Sequence, residues 1–233
     1  TYAQTLWMEE HLQAWREVAI SLQQGKSSFE NAYHQNWFDY IKNHPEKETL
    51  YHQALSHYAY NDYRAFGEII DCTRHELMAD IGGSKGTLIK MLLEKYSHLE
   101  GVVLDRPSVL EKCIPQPRLT FVALDFFKKW PKCSFDGIIL SRVLHDWDDK
   151  RALHILKEVR KVTQNTGRLY VIENLLDKDT GRGGLLNLNM WVMTGGKERT
   201  LEEFQSLCSQ AGFRFETNFS LNTVSSILVL HPL

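Results

Sequence analysis

Cysteine is scarce in this chain and follows no metal-binding or disulfide pattern. The chain of 233 residues contains four cysteines, Cys72, Cys113, Cys133 and Cys208. None forms a C-x-x-C pair, so a zinc site or a disulfide framework is disfavoured. We therefore expect reduced thiols, a cytoplasmic location and no bound metal.

Charge of one sign is not in excess either, and long apolar runs are missing. The formal net charge is −2, so no global field attracts nucleic acid or an anionic membrane. No segment reaches the roughly 18 consecutive apolar residues of a membrane span. We therefore predict a globular protein with neither nucleic acid nor a membrane as a partner.

Aromatic residues, in contrast, are abundant in the first third of the chain. Residues 1–75 carry apolar side chains at helical spacing, and we predict a helical segment there. For most of the aromatic rings we favour packing between helices. The alternative is that some of them, with Phe29 and Trp37 as candidates, form a wall against a flat aromatic ligand.

The hydrophobic period changes at about residue 76. Short runs rich in Val, Ile and Leu then alternate with segments of helical length, which predicts a doubly wound, mostly parallel α/β sheet over residues 76–233. The last two runs, "FRFETNFSLN" and "VSSILVLH", are close enough for a terminal antiparallel hairpin. The predicted fold class is thus α/β, with a Rossmann-like sheet and an N-terminal helical segment.

A glycine turn follows the first predicted strand. In "LMADIGGSKG" the strand ends at Asp80 and the turn contains Gly82 and Gly83. The pattern is neither G-x-G-x-x-G nor a P-loop, so a NAD-dependent dehydrogenase is disfavoured. Because ligands of open α/β sheets bind at the carboxyl ends of the strands, we expect all three residues at a cofactor site.

Two further aspartates close the next two predicted strands. Asp105 ends "GVVLD", and a carboxylate there can accept hydrogen bonds from ribose hydroxyls. Asp125 is followed by Phe126, a pair that suits the amine and the face of an adenine. The alternative for each aspartate is a cap on the following helix, but three in succession favour a nucleoside site.

Six separated motifs then identify a family resemblance. In order they are "DIGGSKG", "LDRPSV", "ALDFF", "LSRVLHDWDD", "VIENLLDKD" and "GGKERT". Together they resemble the S-adenosylmethionine-dependent small-molecule O-methyltransferases typified by plant caffeic acid, animal acetylserotonin and bacterial polyketide enzymes. The resemblance runs from about Trp7 to the C-terminus. It implies S-adenosylmethionine as cofactor, S-adenosylhomocysteine as product, and a small aromatic acceptor from secondary metabolism.

The resemblance also implies a catalytic histidine with two acids. His145 is the implied general base for a phenolic hydroxyl, and Glu173 and Glu198 flank it. We favour Glu173 as the acid that orients the ring, because Glu198 has the alternative of stabilising the N-terminus of the following helix. Since a phenol has a pKa near ~10 and histidine near ~6.5, the proton must leave as the methyl group arrives.

Further site residues carry over from the same motifs. The resemblance places Ser141 against the cofactor. It places Arg142, Asn189 and Met190 at the acceptor. Met193, Trp37 and Phe29 are candidates for the wall of the acceptor pocket, with packing in the core as the alternative for Met193.

The chain departs from the family at two places. Ser84 stands where a third consecutive glycine is usual. The family's N-terminal winged-helix dimerisation domain would lie before this chain, so a homodimer and a longer chain are both expected alternatives. Other acceptors stay open as well: a carboxylate, a hydroxamate or an amine. A non-catalytic binding module built on the cofactor fold is the remaining alternative.

Overall fold

The computed structural model describes residues 8–111, 113–221 and 225–233. Trp7 and the turn of the predicted terminal hairpin therefore lie outside the described residues. The helices are α1 (Glu9–Arg16), α2 (Val18–Gln24), α3 (Ser28–Tyr33), α4 (Trp37–Lys42), α5 (Pro45–Ile69), α6 (Thr87–Lys95), α7 (Pro107–Leu110), α8 (Asp149–Val162), α9 (Gly184–Thr194) and α10 (Leu201–Gln210). The strands are β1 (Leu77–Ile81), β2 (Glu100–Asp105), β3 (Leu119–Ala123), β4 (Phe135–Ser141), β5 (Thr163–Asn174), β6 (Phe213–Ser220) and β7 (Ser225–Pro232), and a 3-10 turn spans Leu144–Asp146.

The strands form one sheet of seven in the order β3-β2-β1-β4-β5-β7-β6. Strands β1 to β5 pair in parallel, whereas β7 runs antiparallel to both β5 and β6. The predicted α/β sheet with a terminal antiparallel hairpin is thus confirmed. The strand order reverses between β1 and β4, and a crevice opens at such a switch point at the carboxyl ends of the strands.

Both faces of the sheet are covered by helices. Helices α8 and α10 contribute Ile155, Leu156 and Phe204 to the core on one face. Helices α5 and α6 contribute Phe66 and Leu92 to the core on the other face. Burial on both sides explains why the parallel strands read as continuous apolar runs.

The N-terminal helices form a third, aromatic core. Phe29 and Trp37 are buried there together with Val192 and Met193 of α9. The rings of Phe29 and Trp37 meet edge to face with centroids 5.3 Å apart, a favourable arrangement for aromatic pairs. The helical segment is thereby packed onto the helix that follows β5.

Local signals explain where the helices begin. Pro45 occupies the first turn of α5, where its missing N–H costs nothing. The Asp148 side chain accepts from the N–H of Arg151 at the start of α8, and Thr200 and Glu203 form a capping box at α10. No helix in the described ranges is both long and apolar enough to cross a membrane.

Gly137 in β4 provides a test of the packing between neighbouring strands. A Cβ at Gly137 would lie 2.8 Å from Cγ of Met78 on β1, so Gly137→Ala should overpack the sheet and lower the free energy of unfolding by about 1–3 kcal/mol. Urea unfolding measures this change. Gly184→Ala is the control, since its Cβ meets open space, and equal stability of the two variants would contradict the packing shown here.

Candidate active site

A cavity of about 1100 Å³ opens at the carboxyl ends of the parallel strands. Helix α5 covers it with Tyr51, His52, Leu55 and Tyr63. Of the residues predicted from the sequence, those that line this cavity are Gly82, Gly83, Asp105, Asp125, Phe126, Ser141, Arg142, His145 and Trp37.

The glycine turn after β1 needs its glycines for two different reasons. Gly82 has a φ of +75°, and a Cβ there would lie 2.6 Å from Cγ2 of Val143. A Cβ at Gly83 would overlap the carboxylate of Asp80, which is buried beneath the turn. Burial and the nearby charge of Asp105 raise the pKa of Asp80 to about 7. Asp80 therefore lies under the turn, behind the cavity wall.

Ser84 adopts the left-handed backbone that favours glycine, with a φ of +53°. Its N–H donates to Oδ2 of Asp105 at 2.8 Å, and its hydroxyl lies 2.9 Å from Nδ1 of His52 on α5. The N–H of Arg106 donates to the other oxygen of Asp105 at 2.7 Å. The serine thus joins the turn to the helix that covers the cavity, while Asp105 is held at the cavity wall.

The remaining predicted cofactor residues complete this wall. Asp125 accepts from the N–H of Phe127 at 3.0 Å. Burial opposes ionisation of Asp125, but this hydrogen bond and Lys128 outweigh it and lower its pKa. The hydroxyl of Ser141 donates to the hydroxyl of Tyr63 at 3.4 Å. The carboxylate of Asp125, the ring of Phe126 and the hydroxyl of Ser141 thus belong to residues that line the same cavity.

His145 is bound on one side of its ring by two buried acids. Its Nδ1 lies 3.2 Å from Oε1 of Glu198 and 3.5 Å from Oε2 of Glu173. The charged atom facing Nε2, Oδ1 of Asp146, is 4.0 Å away, beyond hydrogen-bond distance. A neutral ring that donates from Nδ1 to Glu198 has Nε2 as its acceptor. Nε2 is thus the nitrogen that can accept a proton.

The acids around this ring shift its pKa. Burial disfavours the imidazolium, but the carboxylates of Glu173, Glu198 and Asp146 outweigh burial and raise the pKa of His145 to about 10. Burial raises the pKa of Asp146 to about 7. The raised pKa makes His145 a strong proton acceptor. It also means that the imidazole is charged at neutral pH when no other cation is nearby, and a general base must be neutral before it acts.

Glu173 has a backbone role that the sequence did not indicate. Its Oε1 accepts from the N–H groups of Val143, Leu144 and His145 at 3.0, 2.8 and 3.4 Å. These bonds fix the turn that carries the histidine. The distances reverse the expected order of the two acids, since Glu198 makes the shorter contact with Nδ1.

Glu198 is held by two asparagines and does not cap a helix. Nδ2 of Asn174 donates to its Oε1 at 3.0 Å, and its own N–H donates to Oδ1 of Asn187 at 3.0 Å. Helix α10 is capped instead by Thr200. The described hydrogen bonds of Glu198 are thus directed to His145 and the two asparagines, and not to the first turn of α10.

Sequence reasoning missed Arg199, which is fully buried beside the histidine turn. Its guanidinium donates to the carbonyl groups of Leu144 and Trp147 at 2.9 and 2.8 Å and to Asp149 at 2.9 Å. Gly196 packs so close that a Cβ would overlap the carbonyl oxygen of His145. The motif "GGKERT", which signalled Glu198, contains both residues, but their partners are set by tertiary packing.

Four of the residues predicted to face the acceptor do not line the cavity as the described residues form it. Phe29 and Met193 are buried in the aromatic core, Asn189 accepts from the indole N–H of Trp15 at 3.2 Å, and Met190 lies on α9 beside them. The acceptor roles of all four stay predictions.

Arg142 lines the cavity but is tied to its surroundings. It pairs with Asp62 of α5, donates to Oδ1 of Asn174 at 3.1 Å and to Oγ of Ser225 at 2.9 Å, and lies over the ring of Tyr58 at 4.5 Å. Its Nε has no hydrogen-bond partner among the described residues.

The donor atoms of His145, Glu173 and Glu198 lie within 4.8 Å of one another, and this set could also bind a metal ion. The contact between Nδ1 and Glu198 accounts for the arrangement without one. The absence of a metal stays a prediction.

Comparison with known proteins identifies the family. The sequence model of one protein family, described as the O-methyltransferase domain, matches residues 15–214 of this chain. The chain belongs to this family. The phenazine O-methyltransferase PhzM of Lysobacter antibioticus is 30% identical over 97% of this chain and 68% of its own length. The acetylserotonin O-methyltransferase of Bos taurus is 33% identical over 86% of this chain and 61% of its own length.

Solved structures agree with this assignment. The human N-acetylserotonin methyltransferase in complex with S-adenosylmethionine has a TM-score of 0.89 and 28% identity, covering 99% of this chain and 69% of that chain. The O-methyltransferase NcsB1 of neocarzinostatin biosynthesis, in complex with S-adenosylhomocysteine and 1,4-dihydroxy-2-naphthoic acid, has a TM-score of 0.84 and 27% identity. The match covers 94% of this chain and 68% of that chain. The chain spans 61% to 68% of the length of the two curated relatives named above.

The acids around His145 yield a measurable titration. In the ligand-free protein, NMR of labelled histidine should place the pKa of His145 above its ordinary 6.5. Glu198→Gln removes a carboxylate facing Nδ1 and should lower that pKa by about one unit or more. Glu94→Gln, an exposed change on α6, is the control. A wild-type pKa at or below 6.5, with the signal assigned by its loss in His145→Ala, would contradict the electrostatics described here.

Proposed function

We propose that this chain transfers a methyl group from S-adenosylmethionine to a hydroxyl, phenolic in type, of a small aromatic secondary metabolite, with His145 as general base. The observation that carries the proposal is the cavity between the aspartates at the strand ends and a histidine whose free nitrogen is Nε2. The relatives support it, because their names specify O-methyl transfer to small aromatic or heteroaromatic molecules.

The residues around the glycine turn fit the cofactor. The backbone of Gly82 and Gly83 lines the cavity without side chains, Asp105 offers a carboxylate for ribose hydroxyls, and Asp125 with Phe126 suits an adenine. The cavity is also large enough for a second molecule, since drug-sized ligands occupy roughly 300–1,000 Å³. When bound, S-adenosylmethionine supplies a methyl group on a positive sulfonium, a charge that disfavours a second cation on His145.

The protein's own part in the reaction is to orient and deprotonate the acceptor. Glu198 accepts from Nδ1 and so fixes the tautomer in which Nε2 is the proton acceptor. Glu173 holds the backbone of the same turn. As the hydroxyl proton moves to Nε2, both carboxylates stabilise the imidazolium that forms, as the acid of a catalytic triad does.

The acid-held base also favours a hydroxyl over the other acceptors. A carboxylate is already ionised at neutral pH and needs no base. Three buried acids that raise the pKa of one histidine are costly to maintain, so their retention fits an acceptor that carries a proton. A carboxylate, an amine or mere binding of the cofactor remain outcomes that the experiments below separate.

Cofactor binding is tested by calorimetry with S-adenosylhomocysteine. Asp105→Asn removes the charge that accepts from ribose hydroxyls and should weaken binding about 10- to 100-fold, since hydrogen bonds to charged groups contribute about 1.5–3 kcal/mol. Asp71→Asn, at an exposed aspartate, should bind like wild type. Equal affinity of all three proteins would remove Asp105 from the cofactor site.

Catalysis is tested by single-turnover methyl transfer from saturating cofactor to a panel of phenols, aromatic acids and amines between pH 5.5 and 9. His145→Ala should lower the rate on a phenol by about 10²- to 10⁴-fold, the range of a positioned acid–base residue. Activity should fall as the pH drops through the pKa of His145, because a protonated imidazole cannot accept the hydroxyl proton; the acids raise this pKa and the bound sulfonium opposes them.

The exposed His98→Ala serves as the control and should retain the wild-type rate. His145→Ala with a wild-type rate and profile on a phenol would rule out the base. Transfer only to carboxylates would favour the first alternative acceptor, and cofactor binding without any transfer would favour a binding module.

A further inference from the structure

We propose that Asn174 is a positioning residue that holds Glu198 against His145 and links this acid to the helix that covers the cavity. The inference rests on the proposed function for its kinetic part. It arises because Asn174, at the end of β5, makes contacts on both of its amide atoms, and all of its partners belong to one buried chain of polar groups.

The first link is between Asn174 and Glu198. Nδ2 of Asn174 donates at 3.0 Å to Oε1 of Glu198, which is the oxygen that faces Nδ1 of His145. The other oxygen of Glu198 has no hydrogen-bond partner among the described side chains and backbone groups. The direction of this carboxylate therefore depends on His145 itself and on one amide.

The second link connects Asn174 to the covering helix. Its Oδ1 accepts from Nη1 of Arg142 at 3.1 Å and from Oγ of Ser225 at 2.9 Å. Arg142 pairs in turn with Asp62 of α5, and both side chains are buried. The order Asp62, Arg142, Asn174, Glu198, His145 thus runs from the helix above the cavity to the proposed base.

An amide suits this place better than an acid or an alcohol. Its oxygen accepts from a guanidinium while its NH₂ group donates to a carboxylate, so one side chain satisfies two partners of opposite charge. An aspartate would repel Glu198, and an alanine would leave both partners without their bond. The other charged groups around His145 are Glu173 of β5, Asp146 of its own turn and, beyond the turn, Arg142 and Arg199.

The experiment is a double-mutant cycle of Asn174→Ala and Glu198→Gln, measured by kcat and KM on a phenol and by NMR titration of His145. If Asn174 acts through Glu198, Asn174→Ala should lower kcat about 10- to 100-fold in the wild type, the usual cost of misplacing a catalytic group. In the Glu198→Gln background it should change kcat less than about 2-fold, because coupled sites are not additive. KM for the acceptor and the affinity for S-adenosylhomocysteine should stay at wild-type values.

The NMR arm is independent of turnover. Without its amide donor, Glu198 is no longer directed at Nδ1, so the pKa of His145 should fall in Asn174→Ala, as in Glu198→Gln. An unchanged pKa, or equal kcat losses in both backgrounds, would overturn the proposal. Wild-type protein that transfers methyl to no acceptor would refute the proposed function alone, and the titration would still decide the role of Asn174.

A matched control separates positioning from stability. Thr163 lies at the opposite end of β5 and donates from a buried hydroxyl to the carbonyl of Val159 at 2.7 Å. Thr163→Val should lower the melting temperature without changing kcat or the pKa of His145. If Asn174→Ala does not fold, Asn174→Ser takes its place, since it keeps a small polar side chain at the same position.

Discussion

The site depends on placing more carboxylate than cation around one buried imidazole. Taking Glu173 and Glu198 out of water costs several kcal/mol for each ion, and attraction to His145 offsets this only where the remaining hydrogen bonds are good. Glu173 meets the requirement with three backbone N–H groups, and Glu198 with an amide and the ring. The second oxygens of both acids lack hydrogen-bond partners among the described residues, so the negative charge of the cluster is only partly offset. The loops that carry these groups must consequently be held in a fixed arrangement.

Glycine and arginine make that convergence possible. Gly196 lets the loop before α10 pass directly over the carbonyl of His145, which no residue with a Cβ could do without moving one of the backbones. Arg199 then binds two carbonyl groups of the histidine turn from the same loop. Gly82 and Gly83 perform the equivalent task at the other side of the cavity, where the turn packs on Val143 and Asp80. The glycines that allow close backbone contact and the charged side chains of the site therefore lie on the same loops.

The strand ends were predictable from the sequence, whereas the partners of most buried side chains were not. Alternating apolar runs show where parallel strands stop, and parallel strands stop at one edge, so Asp105, Asp125 and His145 had to lie near one another. Periodicity identifies the face that a helix buries but not the surface that it meets. For this reason the sequence did not indicate the partners of Phe29 and Met193 in the aromatic core, or the pairing of Arg142 with Asp62 of α5. Burial of Arg199 could not be read from a charged motif.

Among the contacts between helix α5 and the loops at the strand ends, two differ in strength. His52 contacts the hydroxyl of Ser84 in the glycine turn, and Asp62 pairs with Arg142 after β4. The two residues are ten positions apart, or about 15 Å at 1.5 Å per residue, so the ties lie at the two ends of the covered cavity. A neutral hydrogen bond contributes about 1 kcal/mol, whereas separating a buried ion pair by removing one partner costs about 3–5 kcal/mol. The pair of Asp62 with Arg142 is accordingly the stronger of these two contacts, and it lies where the helix meets the groups that orient the base. The serine at the usual glycine position is what adds the weaker tie.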